Sequence, residues 1–320
     1  MLKKAVLAAI FVPSLIALAS AQTYPSKPVR IIVPFPPGGG TDIVARAVAQ
    51  KLGESLGQTF VVDNRGGAGG TVGSEAAAKA PPDGYTLAMA TSSTHGVAPS
   101  LYPKLGYDPV ADFGPVTLVA TTPFVLVVHP ALPIKTVPEL IALAKRQPGK
   151  LNYGSAGNGS SNHLTVEMFD MMANVKMTHV PYKGSGPALV DLMAGQVDLL
   201  INDMSSLINY VNAGKMRAVA VTSSKRNPAL PQVPTISETL PGYDAEAWYG
   251  VLVPAKTPVA ISTKLQEEIV KLMRTTDLKD KLHSQGLDAV GNTPAEFLAY
   301  MQRDIAKWAK VVKASGARID

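Results

Sequence analysis

An α/β fold in two facing lobes is what this sequence predicts, and three observations carry the prediction. Short apolar, β-branched runs alternate with helical patterns along almost the whole chain, the signature of mostly parallel strands covered by helices. Segments rich in proline and glycine, at 104–123 and 227–243, each border a strand-like run that can carry the chain from one lobe to the other. Two strand-to-helix junctions, far apart in the chain, are glycine-rich. Two crossings make one lobe discontinuous: residues 22–123 with 241–320 form the first and residues 124–240 the second. Ligands of open α/β sheets bind beyond the C-terminal ends of strands, so facing lobes enclose a cleft lined by strand-to-helix loops.

The elements follow in order. Lys3 and Lys4, an apolar run over residues 5–18 and then Ala19, Ser20 and Ala21 read as an export signal over residues 1–21, cleaved after Ala21. Pro13 and Ser14 interrupt the run, which is short for a membrane span; the mature chain is expected in a periplasm. Val29, Ile31, Ile32 and Val33 form the first strand. A helix begins at Thr41 or Asp42 and buries Ile43, Val44, Ala47 and Val48. Further strands are expected at 60–63, 86–90, 124–129, 151–155, 177–180, 199–202 and 216–221, with helices at 71–80, 137–146, 160–173, 187–194 and 205–213. The tail over 259–315 reads as nearly all helical, with Pro258 and Pro294 near helix starts.

Composition narrows the chemistry. Formal charge is +6, or +4 once Lys3 and Lys4 are removed, with no long basic run, so no nucleic-acid partner is expected. With no cysteine and five histidines away from metal-ligand spacing, neither a disulfide, a metal nor a cofactor is expected.

The first glycine-rich junction, PFPPGGGTDIVAR, is built to hold an anion. Gly38, Gly39 and Gly40 let the backbone turn tightly. The first turn of the helix offers N–H groups without intrahelical partners and a partial positive charge. A phosphate loop would require Lys and a hydroxyl residue after the last glycine, where Thr41 and Asp42 stand. The plain alternative is a tight turn capped by Thr41. Asp42 is read as a cap of its own helix start. The second junction, LNYGSAGNGSSNH, places Gly154, Gly157 and Gly159 before Ser160, Ser161 and Asn162. It departs from a dinucleotide fingerprint at Asn162, and either serine serves equally well as a helix cap. Other strand ends bring Ser92 and Ser93, Tyr182 and Lys183, and Asn202 and Asp203 to the same cleft. Asp203 meets either a helix start or an ammonium or hydroxyl group of a ligand. Trp248, in a strand-like crossing segment, is either an aromatic wall of the cleft or core.

The blocks PFPPGGGTDIVAR, NRGGAGGTVGSEAAAKAPPDGYTL, LNYGSAGNGSSNHLTVEMF, VPYKGSGPALVDLMAGQVDLLIND and PGYDAEAWYGVLVPAKTP, in this order, resemble the substrate-binding proteins of tripartite tricarboxylate transporters, the Bug family. The resemblance implies a two-lobe, type II-like periplasmic-binding-protein fold. It also implies a monomeric, non-enzymatic receptor that delivers a small organic acid to membrane permease subunits. The acid would be a dicarboxylate, a tricarboxylate, an acidic amino acid or an aromatic acid. Its carboxylate would be held by backbone amides and ordered waters from loops 35–42 and 154–161, which makes Phe35, Pro37, Gly38, Gly39, Gly40, Thr41, Asp42, Ala156, Gly157, Gly159, Ser160 and Ser161 candidate ligand contacts. Ser92, Ser93, Tyr182, Asn202, Asp203 and Trp248 would set which acid binds. Two rivals are a sensor that presents the closed form to a membrane signalling partner, and a hydrolase using Ser160 or Ser161 with His163 and Asp203. The second lacks a nucleophile elbow, and its histidine shares a helix start with its serines.

Overall fold

Val29, Ile31, Ile32 and Val33 are almost wholly buried, and around them the fold is laid down; the computed structural model describes residues 24–318. The export signal and its cleavage site lie outside the described residues. Strand β1 (Val29–Val33) leads into α1 (Gly40–Leu56). Next come β2 (Phe60–Asn64), α2 (Thr71–Ala78) and β3 (Thr86–Thr91), with β2 and β3 both pairing β1 in parallel. A wide helical turn at Ser92–Val97 passes into the short α3 (Ala98–Leu101).

The next strand, β4 (Phe113–Val128), runs sixteen residues. After it the chain builds α4 (Val137–Arg146), β5 (Asn152–Ser155), α5 (Ser161–Ala173), β6 (Thr178–Pro181) and α6 (Ser185–Met193). Then β7 (Leu199–Asp203), α7 (Met204–Asn212) and β8 (Arg217–Val221) complete this half. Here β5 lies between β6 and β7 and is parallel to both. The chain returns through β9 (Glu246–Pro254) and ends in α8 (Val259–Met273), α9 (Thr276–His283), β10 (Asp288–Ala289) and α10 (Pro294–Ser315).

A single ten-stranded sheet results, with strand order β2-β1-β3-β9-β4-β7-β5-β6 and with β8 and β10 attached to β4. Its outer strands are parallel, as expected, but the middle is antiparallel: β4 pairs β9 through Phe113–Pro123 and pairs β7 and β8 through Phe124–Val128. One strand thus belongs to both halves of the molecule. Its first half lies in the segment read as a proline-rich connection. The register shifts beside Pro115 and before Ala120 show how a strand accommodates such a sequence, by bulging where a ladder bond is lost. The helical tail is likewise broken, because Gly286 and Gly291 take left-handed conformations (φ 71° and 70°) on either side of β10.

The two halves are tied where they cross. Thr222 Oγ1 donates to Ala245 O (2.6 Å) and to Phe124 O (3.1 Å), and accepts from the Phe124 N–H at 2.8 Å. Beneath β9, Trp248, Leu252, Phe297 and Met301 form a buried apolar cluster. Gly250 lies against the outer end of the Phe297 ring, and a Cβ there would overlap it. Gly250→Ala should therefore cost about 1–3 kcal/mol, the range for overpacking a core, measured as a lower urea midpoint with an unchanged slope.

Candidate functional site

The start of α1 is left open by its own sequence. Gly39 is the N-cap, extended at φ −87° and ψ 168°, and no side chain caps the helix. The helix begins at Gly40, so Thr41 is its second residue rather than its cap. Asp42 folds back: its carboxylate accepts from the Gly38 N–H (3.1 Å), Arg46 Nε (2.9 Å) and Asn64 Nδ2 (3.0 Å). Burial works against its ionisation, yet these bonds hold the carboxyl below its ordinary range. Its two oxygens are thereby committed to the loop, not to the cleft.

The second glycine loop is braced by side chains beneath it. Ser160 caps α5 by accepting from the His163 N–H and donates to Gly157 O (2.8 Å). His163 Nδ1 accepts from the Gly159 N–H (3.3 Å), and Ser155 Oγ accepts from the Gly157 N–H (3.0 Å) while pairing with His179 Nε2 (2.6 Å). The two histidine rings stack with centroids 4.0 Å apart. Burial, reinforced by His163, pushes His179 down to about 3, so the stack carries a neutral ring at physiological pH. Positive φ at Gly157 (126°) and Gly159 (76°) shapes the turn.

Four helix starts converge on one cavity between the halves. Gly40 begins α1, Ser161 begins α5, Ser185 begins α6 and Asp203 precedes α7, and all four residues line it. Phe35, Pro36, Gly39, Thr41, Thr91, Ser92, Ser93, Ala156, Asn162, Ala247 and Tyr249 complete the wall, and no Lys, Arg or His is among these residues. Each helix start carries roughly half a positive charge, so the backbone brings positive potential to the cavity without a basic side chain, set against the Asp203 carboxyl in its wall. It is also tight, offering about 20 Å³ to the centres of water molecules, space for about one or two waters. Outside it lies a larger chamber of about 330 Å³, bounded by Gly67–Gly70, Tyr102, Gly157, Asn158, Tyr182 and Lys183. Contacts between the halves close the inner space. The Ser161 N–H donates to Ser93 Oγ at 2.9 Å, and Tyr102 Oη donates to Ala68 O (2.6 Å) and Asn158 O (3.2 Å).

Of the residues singled out in the sequence, Phe35, Gly39, Gly40, Thr41, Ser92, Ser93, Ala156, Ser161 and Asp203 line the inner cavity, and Gly157 and Tyr182 the outer chamber. Pro37, Gly38 and Gly159 shape the loops without lining either space, and Ser160 and Asp42 brace them. Asn202 stands behind the wall, accepting from Ser185 Oγ (2.9 Å) and Asn162 Nδ2 and donating to Ser206 Oγ (3.0 Å). It thus ties together the starts of α5, α6 and α7.

Trp248 requires a correction. It is fully buried beneath β9, its Nε1 donating to Asp304 (2.7 Å) and its ring set edge-on to Phe297 and Tyr300. Strand alternation then turns its neighbours Ala247 and Tyr249 toward the cavity. The same two-residue period, read with Trp248 as core, would have found Tyr249. Thr91 and Asn162, at strand and helix ends that the sequence already marked for the cleft, line it as well, whereas Ser185 carries no sequence signal of its own.

At the cavity floor, Asp203, Tyr249 and Ser205 crowd against Gly40. A Cβ on Gly40 would come within 2.8 Å of Ser205 Oγ and 2.9 Å of Asp203 Oδ2, and would overlap the Tyr249 hydroxyl. The Ser205 and Tyr249 hydroxyls are buried without hydrogen-bond partners among the described residues. Burial pushes the Asp203 carboxyl up to about 6. Among the described residues no group of three or more His, Cys, Asp or Glu could hold a metal.

Residues 44–317 match the family model described as "Tripartite tricarboxylate transporter family receptor". The chain belongs to this family. It is 39% identical over 305 residues to Protein BugT of Bordetella pertussis, covering 95% of this chain and 94% of that one. A Rhodopseudomonas palustris protein solved with adipate superposes with a TM-score of 0.90 at 39% identity, covering 92% of this chain and all of the other. MatC of Rhodopseudomonas palustris, with bound malate, gives 0.87 at 34% identity, covering 90% of this chain and all of the other. The receptor is accordingly a solute-binding protein and not an enzyme. The Ser160 and His163 side chains of the hydrolase alternative are both occupied within their own loop.

The buried acid sets a pH dependence of stability in the receptor. Because the folded-state pKa of Asp203 lies above its unfolded value of 3.8, its stabilising contribution is full below about pH 4 and is lost as pH rises through about 6. Asp203→Asn should raise stability at pH 8 by on the order of 2–3 kcal/mol, with little gain at pH 4. Paired thermal melts at the two pH values check this, and an equal gain at both would contradict it.

Proposed function

We propose that the receptor captures a small organic carboxylate in the periplasm and delivers it to the membrane permease of a tripartite transporter. The observation that carries the reading is the convergence of four helix starts on a cavity lined by no basic side chain. Such a site suits a compact carboxylate, which accepts several backbone and hydroxyl hydrogen bonds at once. The adipate and malate of the two R. palustris proteins support dicarboxylates as the first class to test. Charge-assisted hydrogen bonds contribute about 1.5–3 kcal/mol each, so four or five of them, less ordering costs, reach the about −8 kcal/mol of a micromolar site.

Capture proceeds by lobe closure in this reading. Residues 24–123 with 241–318 form one lobe and 124–240 the other, hinged where Thr222 ties Phe124 to Ala245. The inner cavity, with room for about one or two waters, takes one carboxylate group and leaves the rest of a dicarboxylate to the adjoining chamber, entry requires the lobes to part, and the Ser93–Ser161 contact marks the closed state.

A thermal-shift series with mono-, di- and tricarboxylates tests the ligand class. A ligand that binds only the native state raises the melting temperature with concentration, and no shift with any acid would refute the proposal. Closure has its own test. Gly40→Ala places a methyl group where Ser205 Oγ and Asp203 Oδ2 of the other lobe must come as the lobes meet. It should still fold, because the Tyr249 side chain of the same lobe can shift its far end away from the methyl group, yet lose about tenfold or more in affinity by calorimetry. Unchanged affinity would rule out this closed geometry as the bound state.

A further inference from the structure

Asp203 lies at the helix start that the carboxylate reading assigns to the ligand. Its Oδ2 is 2.9 Å from where a Cβ on Gly40 would stand, while Gly39, Gly40 and Thr41 line the cavity beside it. Tyr249 from β9 and Ser205 from α7 surround it with buried hydroxyls that have no other partner. The titratable groups facing Asp203 reduce to Tyr249. On α1, Asp42 is turned away to Gly38, Arg46 and Asn64. On β4 the paired residue is Phe124, and α5 and α6 present Ser161, Asn162 and Ser185. A carboxylate entering this cavity therefore meets one already buried there, with no Lys, Arg or His in the wall to stand between them. Two like charges so placed cannot both remain ionised, and the pair retains a proton.

Resting on the carboxylate reading, we infer that ligand capture is coupled to the uptake of one proton at Asp203, whose neutral acid form then donates a hydrogen bond to the bound carboxylate. The balance is simple: the Asp203 carboxylate, one proton from solvent and the ligand anion give the neutral acid and the bound anion. One O–H bond forms and none breaks in either partner. Burial has already lifted Asp203 to about 6 without a ligand, and an adjacent anion shifts it further in the same direction. The Tyr249 hydroxyl lies against the Asp203 carboxyl and the Ser205 hydroxyl against Tyr249, so donors stand beside the oxygens that the proton leaves free.

Titration calorimetry of the wild-type protein at pH 7.5, with adipate and malate as probes in two buffers of different ionisation enthalpy, reads the proton directly. The expected result is uptake approaching one proton per ligand, with affinity falling about tenfold per pH unit between pH 7 and 9, where the probes are fully ionised. Asp203→Asn should bind with heats independent of buffer and affinity independent of pH, and should exceed the wild type at pH 9. Wild-type binding with equal heats in both buffers would overturn the inference and leave carboxylate capture standing. No binding of either acid would count against capture itself. Undiminished proton uptake in Asp203→Asn would remove Asp203 from the role. The wild-type measurement stands whether or not the variant folds.

Discussion

Everything about this site depends on helix starts brought to one point, those of α1, α6 and α7 left uncapped by side chains. A helix terminus is a weak anion binder alone, since its partial charge is screened by solvent and fades within a turn. Four of them around a nearly dry cavity act in a low dielectric, where their effects add and water cannot compete. Glycine is part of the device. At Gly39 no capping side chain occupies the orphan donors, and at Gly40 a hydrogen in place of a methyl group lets Tyr249, Ser205 and Asp203 close in.

That convergence requires strand ends from both halves to face each other, and β4 provides it. Because one strand pairs with β9 in the first half and with β7 and β8 in the second, the ends of β3, β5 and β7 are held in a common frame. Thr222 reinforces the crossing with hydrogen bonds to both passing strands. The cavity and the crossing between the halves are therefore products of the same topology.

Local pattern reveals local structure, and the sequence is legible to that extent. The β-branched run at Val29–Val33 and the apolar period after Gly40 announce a strand and a helix, and helix α4 falls at the predicted residues. What escapes is decided by pairing over distance. The first half of β4 contains Pro115 and two bulges, so its strand character comes from β9 and not from its own residues. Trp248 and Tyr249 are both large aromatics on one strand, and composition gives no clue to which faces the core. Phe297 on α10 settles it by filling the face that Trp248 shares. Ser185 reaches the cavity only because α6 begins beside it.

Two acidic residues at helix starts show how far residue type underdetermines role. Asp42 and Asp203 both stand where a carboxylate complements a helix start, yet Asp42 is satisfied by an arginine, an asparagine and a backbone N–H, whereas Asp203 is buried facing the cavity. The first is stabilised as an ion and the second is penalised as one. A penalised ion at the lobe interface has a thermodynamic consequence. In the closure proposed above, it weakens the closed state of the empty protein, so that closure would be carried by ligand contacts and not by the lobes alone. A receptor that closed equally well without ligand could not discriminate between empty and loaded forms, since a partner can respond only to a difference in population. The buried acid is thus a cost to stability located where, in the proposed closure, it would make closing conditional on the solute.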